Sequence, residues 1–204
     1  MKIVETGLKF NGTPKKRSAT KRIIIHHSVS GDVSAATIHG WHLGQKWMGI
    51  GYQFVIRADG SIERGRAEDL IGAHAGAGAN GDSIGVCLTG DFTKHPPTER
   101  QMLSLVELIK YLRGKYGNLS VIGHKDVMAT ACPGHMFAWA ELHKRLEGAN
   151  VEEWKKDLMS DLMAARLVKD YHDPDEPAPK WWVAAVVLNL HKQMWDELKK
   201  KEGK

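Results

Sequence analysis

The sequence predicts an α/β protein, with strands and helices interleaved over residues 22–147 and a helical hairpin after them. Three observations carry this. Apolar runs rich in β-branched residues, at 22–27, 84–89 and 119–122, read as buried strands. Between them lie segments with helical spacing and helix-start signals. Past residue 150, Val151, Trp154, Leu158 and Leu162 recur on one helical face.

The elements follow in order. Residues 1–21 form a basic N-terminal arm, with Lys2, Lys9, Lys15, Lys16, Arg17 and Lys21 against only Glu5. Such an arm is either solvated and partly disordered or docks on an anionic surface such as a cell-wall polymer. No nucleic-acid motif accompanies it, so no nucleic-acid partner is expected. Residues 22–27 should be a strand that delivers two histidines at its end. Residues 34–47 read as a helix capped by Ser34, with Ile38, Trp41 and Gln45 facing inward. Strands at 51–56 and 61–64 flank the turn Ala58-Asp59-Gly60. Residues 84–89 form the next strand. Thr98 and Gln101 make a capping box for a helix running to about Tyr116, which Gly117-Asn118 stops. Residues 119–122 feed a loop containing His124 and Cys132, and a further helix covers 137–147.

Gly148-Ala149-Asn150 marks a boundary. Beyond it, residues 148–204 form a helical C-terminal region broken by a loop at 172–179 that holds three of the seven prolines. Four of the seven tryptophans, Trp154, Trp181, Trp182 and Trp195, fall there. Cell-wall targeting is one reading of them, packing within a hairpin or dimer is another, and an amphipathic, lysine-tipped helix that disturbs membranes is a third.

Composition bounds the function. With 42% hydrophobic and 26% charged residues, the chain reads as globular. Two cysteines do not make a disulfide framework. The start lacks the apolar core of a signal peptide, and the longest apolar run, 181–190, is too short for the ~20 residues of a spanning helix. The chain is therefore expected to be made in the cytoplasm, without a transmembrane segment.

The chemistry concentrates in Gly123-His124 through Cys132-Pro133, taken with His26-His27 upstream. Two imidazoles and one thiolate give the three protein ligands of a catalytic zinc, with a fourth position open for water. Cys87 sits in an apolar run and reads as core. From spacing alone, a metal site and ordinary structural histidines remain equally open. His42, His95, His143 and His191 take the structural reading.

Several segments together resemble the zinc-dependent N-acetylmuramoyl-L-alanine amidases of the bacteriophage-lysozyme and peptidoglycan-recognition family. They are Ile24-Ile25-His26-His27-Ser28, Gly49-Ile50-Gly51-Tyr52-Gln53-Phe54, Ile71-Gly72-Ala73-His74-Ala75, Asn80 through Val86, and Gly123-His124 through Gly134. The resemblance covers 22–147 and implies a central mixed β-sheet flanked by helices. It makes His26, His124 and Cys132 the Zn2+ ligands; adjacent strand residues face opposite ways, so only one of His26 and His27 reaches the metal, and the resemblance aligns the ligand with His26. It makes Tyr52 and Thr130 catalytic, Thr130 standing where some phage members carry lysine. It places His74 and Asn80 in the substrate-binding cleft.

The implied activity is hydrolysis of the amide between N-acetylmuramic acid and L-alanine in bacterial peptidoglycan, as a phage or prophage endolysin acting on the cell wall after release. The alternative is a non-catalytic peptidoglycan-binding module. Intact Cys132, His26 and Tyr52 speak against it.

Overall fold

The computed structural model describes residues 1–146 and three isolated positions beyond them, Met163, Leu167 and Val186. The helical region expected at 148–204 lies outside the described residues. The chain divides into two units, Met1–His143 and Lys144–Lys204, and the sheet and site belong to the first.

The elements run β1 (Ile3–Val4), β2 (Arg22–His27), α1 (Ala35–Gly44), β3 (Phe54–Ile56), β4 (Ile62–Arg64), α2 (Ala77–Asn80), β5 (Ser83–Leu88), α3 (Glu99–Tyr116), β6 (Ser120–Gly123) and α4 (Trp139–Leu146). A short 3-10 turn, His124–Asp126, follows β6. Six strands make one sheet in the order β1-β4-β3-β5-β2-β6. Only β3 and β4 run antiparallel; the other neighbours are parallel, so the sheet is mixed as expected.

β2 lies in the middle of the parallel part. Its Ile23, Ile24 and Ile25 have no exposed surface. Cover on both faces explains why this strand reads as a continuous apolar run rather than an alternating one. α3 begins at the expected capping box, Thr98 Oγ1 accepting from Gln101 N while Gln101 Oε1 accepts from Thr98 N. It buries Met102, Leu105, Val106, Leu108, Ile109 and Leu112, a stripe at helical spacing.

Two expectations need correction. The N-terminal arm is not a free appendage, because β1 extends the sheet edge beside β4 and Lys16 bridges to Leu70. Arg17 anchors the segment by donating to the carbonyls of Glu68 and Leu70. Helix α1 turns a different face inward. Its buried residues are Ala35, Ile38, His39 and His42, whereas Trp41 and Gln45 are exposed. The reason is polar: His39 Nδ1 accepts from Ile50 N and His42 Nδ1 accepts from Gly51 N. Apolar periodicity cannot show such partners. Both histidines are structural, as read for His42.

Candidate metal centre and active site

The parallel register of β2 and β6 builds the site. Ile25 stands opposite Gly123, so the next residues, His26 and His124, leave the sheet side by side at its carboxyl edge. This is where open α/β sheets place their ligands. The two rings lie 4.5 Å apart, centroid to centroid. His27, the following residue on β2, points elsewhere: its Nδ1 accepts from Phe92 N at 3.1 Å. Alternation along the strand separates the pair as expected.

Cys132 returns to His26 through the loop after the 3-10 turn. Lys125 N donates to Cys132 O at 2.8 Å, and Gly134 N donates to Ala131 O at 2.7 Å. Gly134 has φ of 104°, and a Cβ there would meet the Phe92 backbone at 2.4 Å, so the turn requires glycine. The Cys132 sulfur ends 3.7 Å from His26 Nδ1.

His26, His124 and Cys132 each offer a ligand atom, and these atoms all lie within 4.8 Å of one another. A tetrahedral ion with a Zn–N bond of ~2.05 Å and a Zn–S bond of ~2.3 Å would hold nitrogen and sulfur roughly 3.6 Å apart. The His26–Cys132 distance fits that span. The electrostatics fit as well. Burial, then the neighbouring His74 and His124 rings, holds the His26 pKa well below its ordinary value, and burial lowers that of His124. Both are bare imidazoles at neutral pH, the form that binds metal. Burial pushes the Cys132 thiol up to about 11, partly offset by the His27 backbone N–H. A thiol held protonated in this way becomes a thiolate ligand when a cation takes the proton's place.

Tyr52 lies beside the group, its ring 4.9 Å from that of His26. Burial raises its pKa well above the ordinary value, so the hydroxyl keeps its proton. Thr130 is exposed, and its Oγ1 accepts from Cys132 N at 3.3 Å. Met128 Sδ lies 3.2 Å from His124 Nε2. The Asp126 carboxylate accepts from Gly123 N at 2.7 Å.

His74 and Asn80 make inward polar contacts. His74 is buried, with its Nδ1 3.0 Å from His26 Nε2. Asn80 Oδ1 accepts from the backbone N–H groups of His74 and Ala75. The small residues between them let the loop fold back on itself, so its polar side chains are spent inward. The loop meets open space through Ala75, Gly76, Gly78 and Ala79, which line a cavity of about 330 Å³ with Arg22, Val127 and Met128. Sequence reasoning missed Ser83, Gly72 and Gly85, which surround the His74 ring. Gly85, inside a strand, was a readable signal of close approach.

A mixed sheet that converges two neutral imidazoles and a thiol at its carboxyl edge belongs to the amidase and peptidoglycan-recognition class of folds. The comparisons agree. Among solved structures, the N-acetylmuramoyl-L-alanine amidase LysC from Clostridium intestinale URNW superposes with a TM-score of 0.69 at 37% identity, over 72% of this chain and 98% of that one. The endolysin of Escherichia phage T7 is 39% identical over 127 residues, 58% of this chain and 83% of its own length. A peptidoglycan-recognition protein of Drosophila melanogaster is 35% identical over 134 residues, 59% of this chain and 72% of its own.

The N-acetylmuramoyl-L-alanine amidase family pattern matches residues 16–135, and the chain belongs to that family. It is an amidase, hydrolysing the bond between N-acetylmuramic acid and L-alanine in peptidoglycan.

Proposed function

We propose that His26, His124 and Cys132 hold a zinc ion, and that the chain cuts peptidoglycan with it as a phage or prophage endolysin. One observation carries the metal assignment: three donors of the types zinc prefers converge within 4.8 Å of one another, with sulfur and the His26 nitrogen 3.7 Å apart and both imidazoles uncharged. The similarity to the phage T7 endolysin supports the lytic role.

Zinc, when bound, lowers the pKa of its water towards ~7 and polarises a carbonyl oxygen. The protein's own groups do the rest. Tyr52, which keeps its proton beside His26, is the donor for negative charge developing on the amide oxygen. Thr130 spends a lone pair on Cys132 N, which leaves its own O–H free as a second donor. The same bond holds the ligand's backbone. The cavity bounded by Gly76, Gly78 and Met128 is the place for the stem peptide, since its small residues admit an extended chain. Residues 148–204 serve cell-wall targeting, anionic wall polymers are partners of the basic N-terminal residues, and the enzyme acts on the wall after release.

The test is digestion of purified peptidoglycan with and without a chelator. New lactyl carboxylates and L-alanine amines are expected, and only with metal present. Reducing sugars would mean a glycosidase and overturn the reading.

A further inference from the structure

His74 is more firmly fixed than a ligand-contacting side chain needs to be. Its backbone N–H is held by Asn80 Oδ1 at 2.9 Å. Its ring occupies a slot that two glycines leave open. A Cβ on Gly72 would lie 2.4 Å from the imidazole, and one on Gly85 would lie 2.6 Å from it. Gly85 cannot give way, because its N–H donates to Gln53 Oε1 at 2.7 Å and Gln53 is wholly buried. At the far side, Ser83 Oγ lies 3.5 Å from His74 Nε2.

Ser83 Oγ lies 2.5 Å from Ala79 O, and a carbonyl only accepts, so the serine proton is committed there. Towards His74, Ser83 can therefore only accept, so this long 3.5 Å contact favours the His74 proton on Nε2. Two imidazoles this deeply buried and 3.0 Å apart carry no charge, so each has one N–H. His74 Nδ1 is then a lone pair, and the bond between the rings is donated by His26 Nε2–H. That leaves His26 Nδ1 bare, and Nδ1 is the atom 3.7 Å from Cys132 Sγ.

We propose that His74, backed by Ser83, is a positioning residue that fixes His26 in the Nε2–H tautomer and so presents a bare Nδ1 to the metal. The inference rests on the zinc reading above. A partner on the far nitrogen of a ligating imidazole sets its tautomer and orientation and raises its basicity. Losing such a partner typically weakens metal binding by about 10- to 100-fold. His74 thus serves the centre from beneath, not the substrate from above.

The experiment measures zinc affinity by competition with a chromophoric chelator for the full-length wild type, His74→Leu, His74→Asn and Ser83→Ala. Long-range ¹H–¹⁵N spectra of the metal-free wild type report the His26 tautomer directly. His74→Leu should lose affinity about 10- to 100-fold. His74→Asn should recover most of it, since its amide oxygen can stand where Nδ1 stood. Ser83→Ala should fall between them, and the spectra should show His26 protonated at Nε2. Affinity of His74→Leu within twofold of wild type overturns the inference, as does a His26 proton on Nδ1. If His74→Leu does not fold, the Ser83→Ala affinity and the wild-type spectra decide. Wild-type protein that binds no zinc overturns the metal reading and this inference with it; zinc binding that His74→Leu leaves intact overturns this inference alone.

Discussion

Gly85 and His74 are fitted to each other: the imidazole lies where a Cβ on Gly85 would come within 2.6 Å of it. Gly85 is in β5, opposite Ile24 of β2, two residues before the pair Cys87 and His26. A side chain at 85 would push the ring that supports His26. Gly85→Ala should therefore lower zinc affinity in the same direction as His74→Leu. The overpacking should also cost about 1–3 kcal/mol of stability. Chelator competition and urea unfolding of the same sample measure the two effects. Unchanged zinc affinity would detach the glycine slot from the centre.

Tyr52→Phe tests the donor role without removing the ring that packs beside His26. Loss of one oxyanion donor typically lowers kcat by about 10²–10³. Turnover of a soluble muropeptide should fall by that order, with KM and zinc content little changed. A raised KM with unaltered kcat would make Tyr52 a binding residue.

Acid should weaken the fold before carboxylates titrate. Burial depresses the His42 pKa to about 4 and the His74 pKa to about 3. The unfolded chain takes up these protons near pH 6.5 while the folded one does not. Their depressed pKa values make stability fall as pH drops below about 6.5, and the loss levels off only below the folded values. Each group contributes a slope of up to about 1.4 kcal/mol per pH unit in that window. Urea titrations of metal-free protein between pH 7 and 4.5 check this. A flat profile would mean that His42 and His74 are protonated in the folded state.

Much of this was legible in the sequence because apolar periodicity and caps are local. The three isoleucines of β2 and the Thr98–Gln101 box announced their elements directly. His26, His124 and Cys132 could be named because the family resemblance singles them out where spacing alone left them open, and the parallel register of β2 and β6 brings the first two together. What could not be read was polar and long-range. The inward turn of His39 and His42 depends on N–H groups about ten residues away, and the sheet edge at β1 depends on a strand some sixty residues on. His74 and Asn80 were placed in the cleft by the resemblance; the contact of His74 with His26 and the bonds that Asn80 accepts from the loop backbone turn both inward.

The central claim is that one sulfur and two imidazole nitrogens hold a zinc ion in this amidase. X-ray absorption at the zinc edge of the loaded protein measures this most directly. The account predicts one sulfur at ~2.3 Å and the remaining nitrogen or oxygen neighbours at ~2.0–2.1 Å, with the sulfur lost in Cys132→Ala. A shell of nitrogen and oxygen alone, or one with two sulfurs that drew in Cys87, would contradict it.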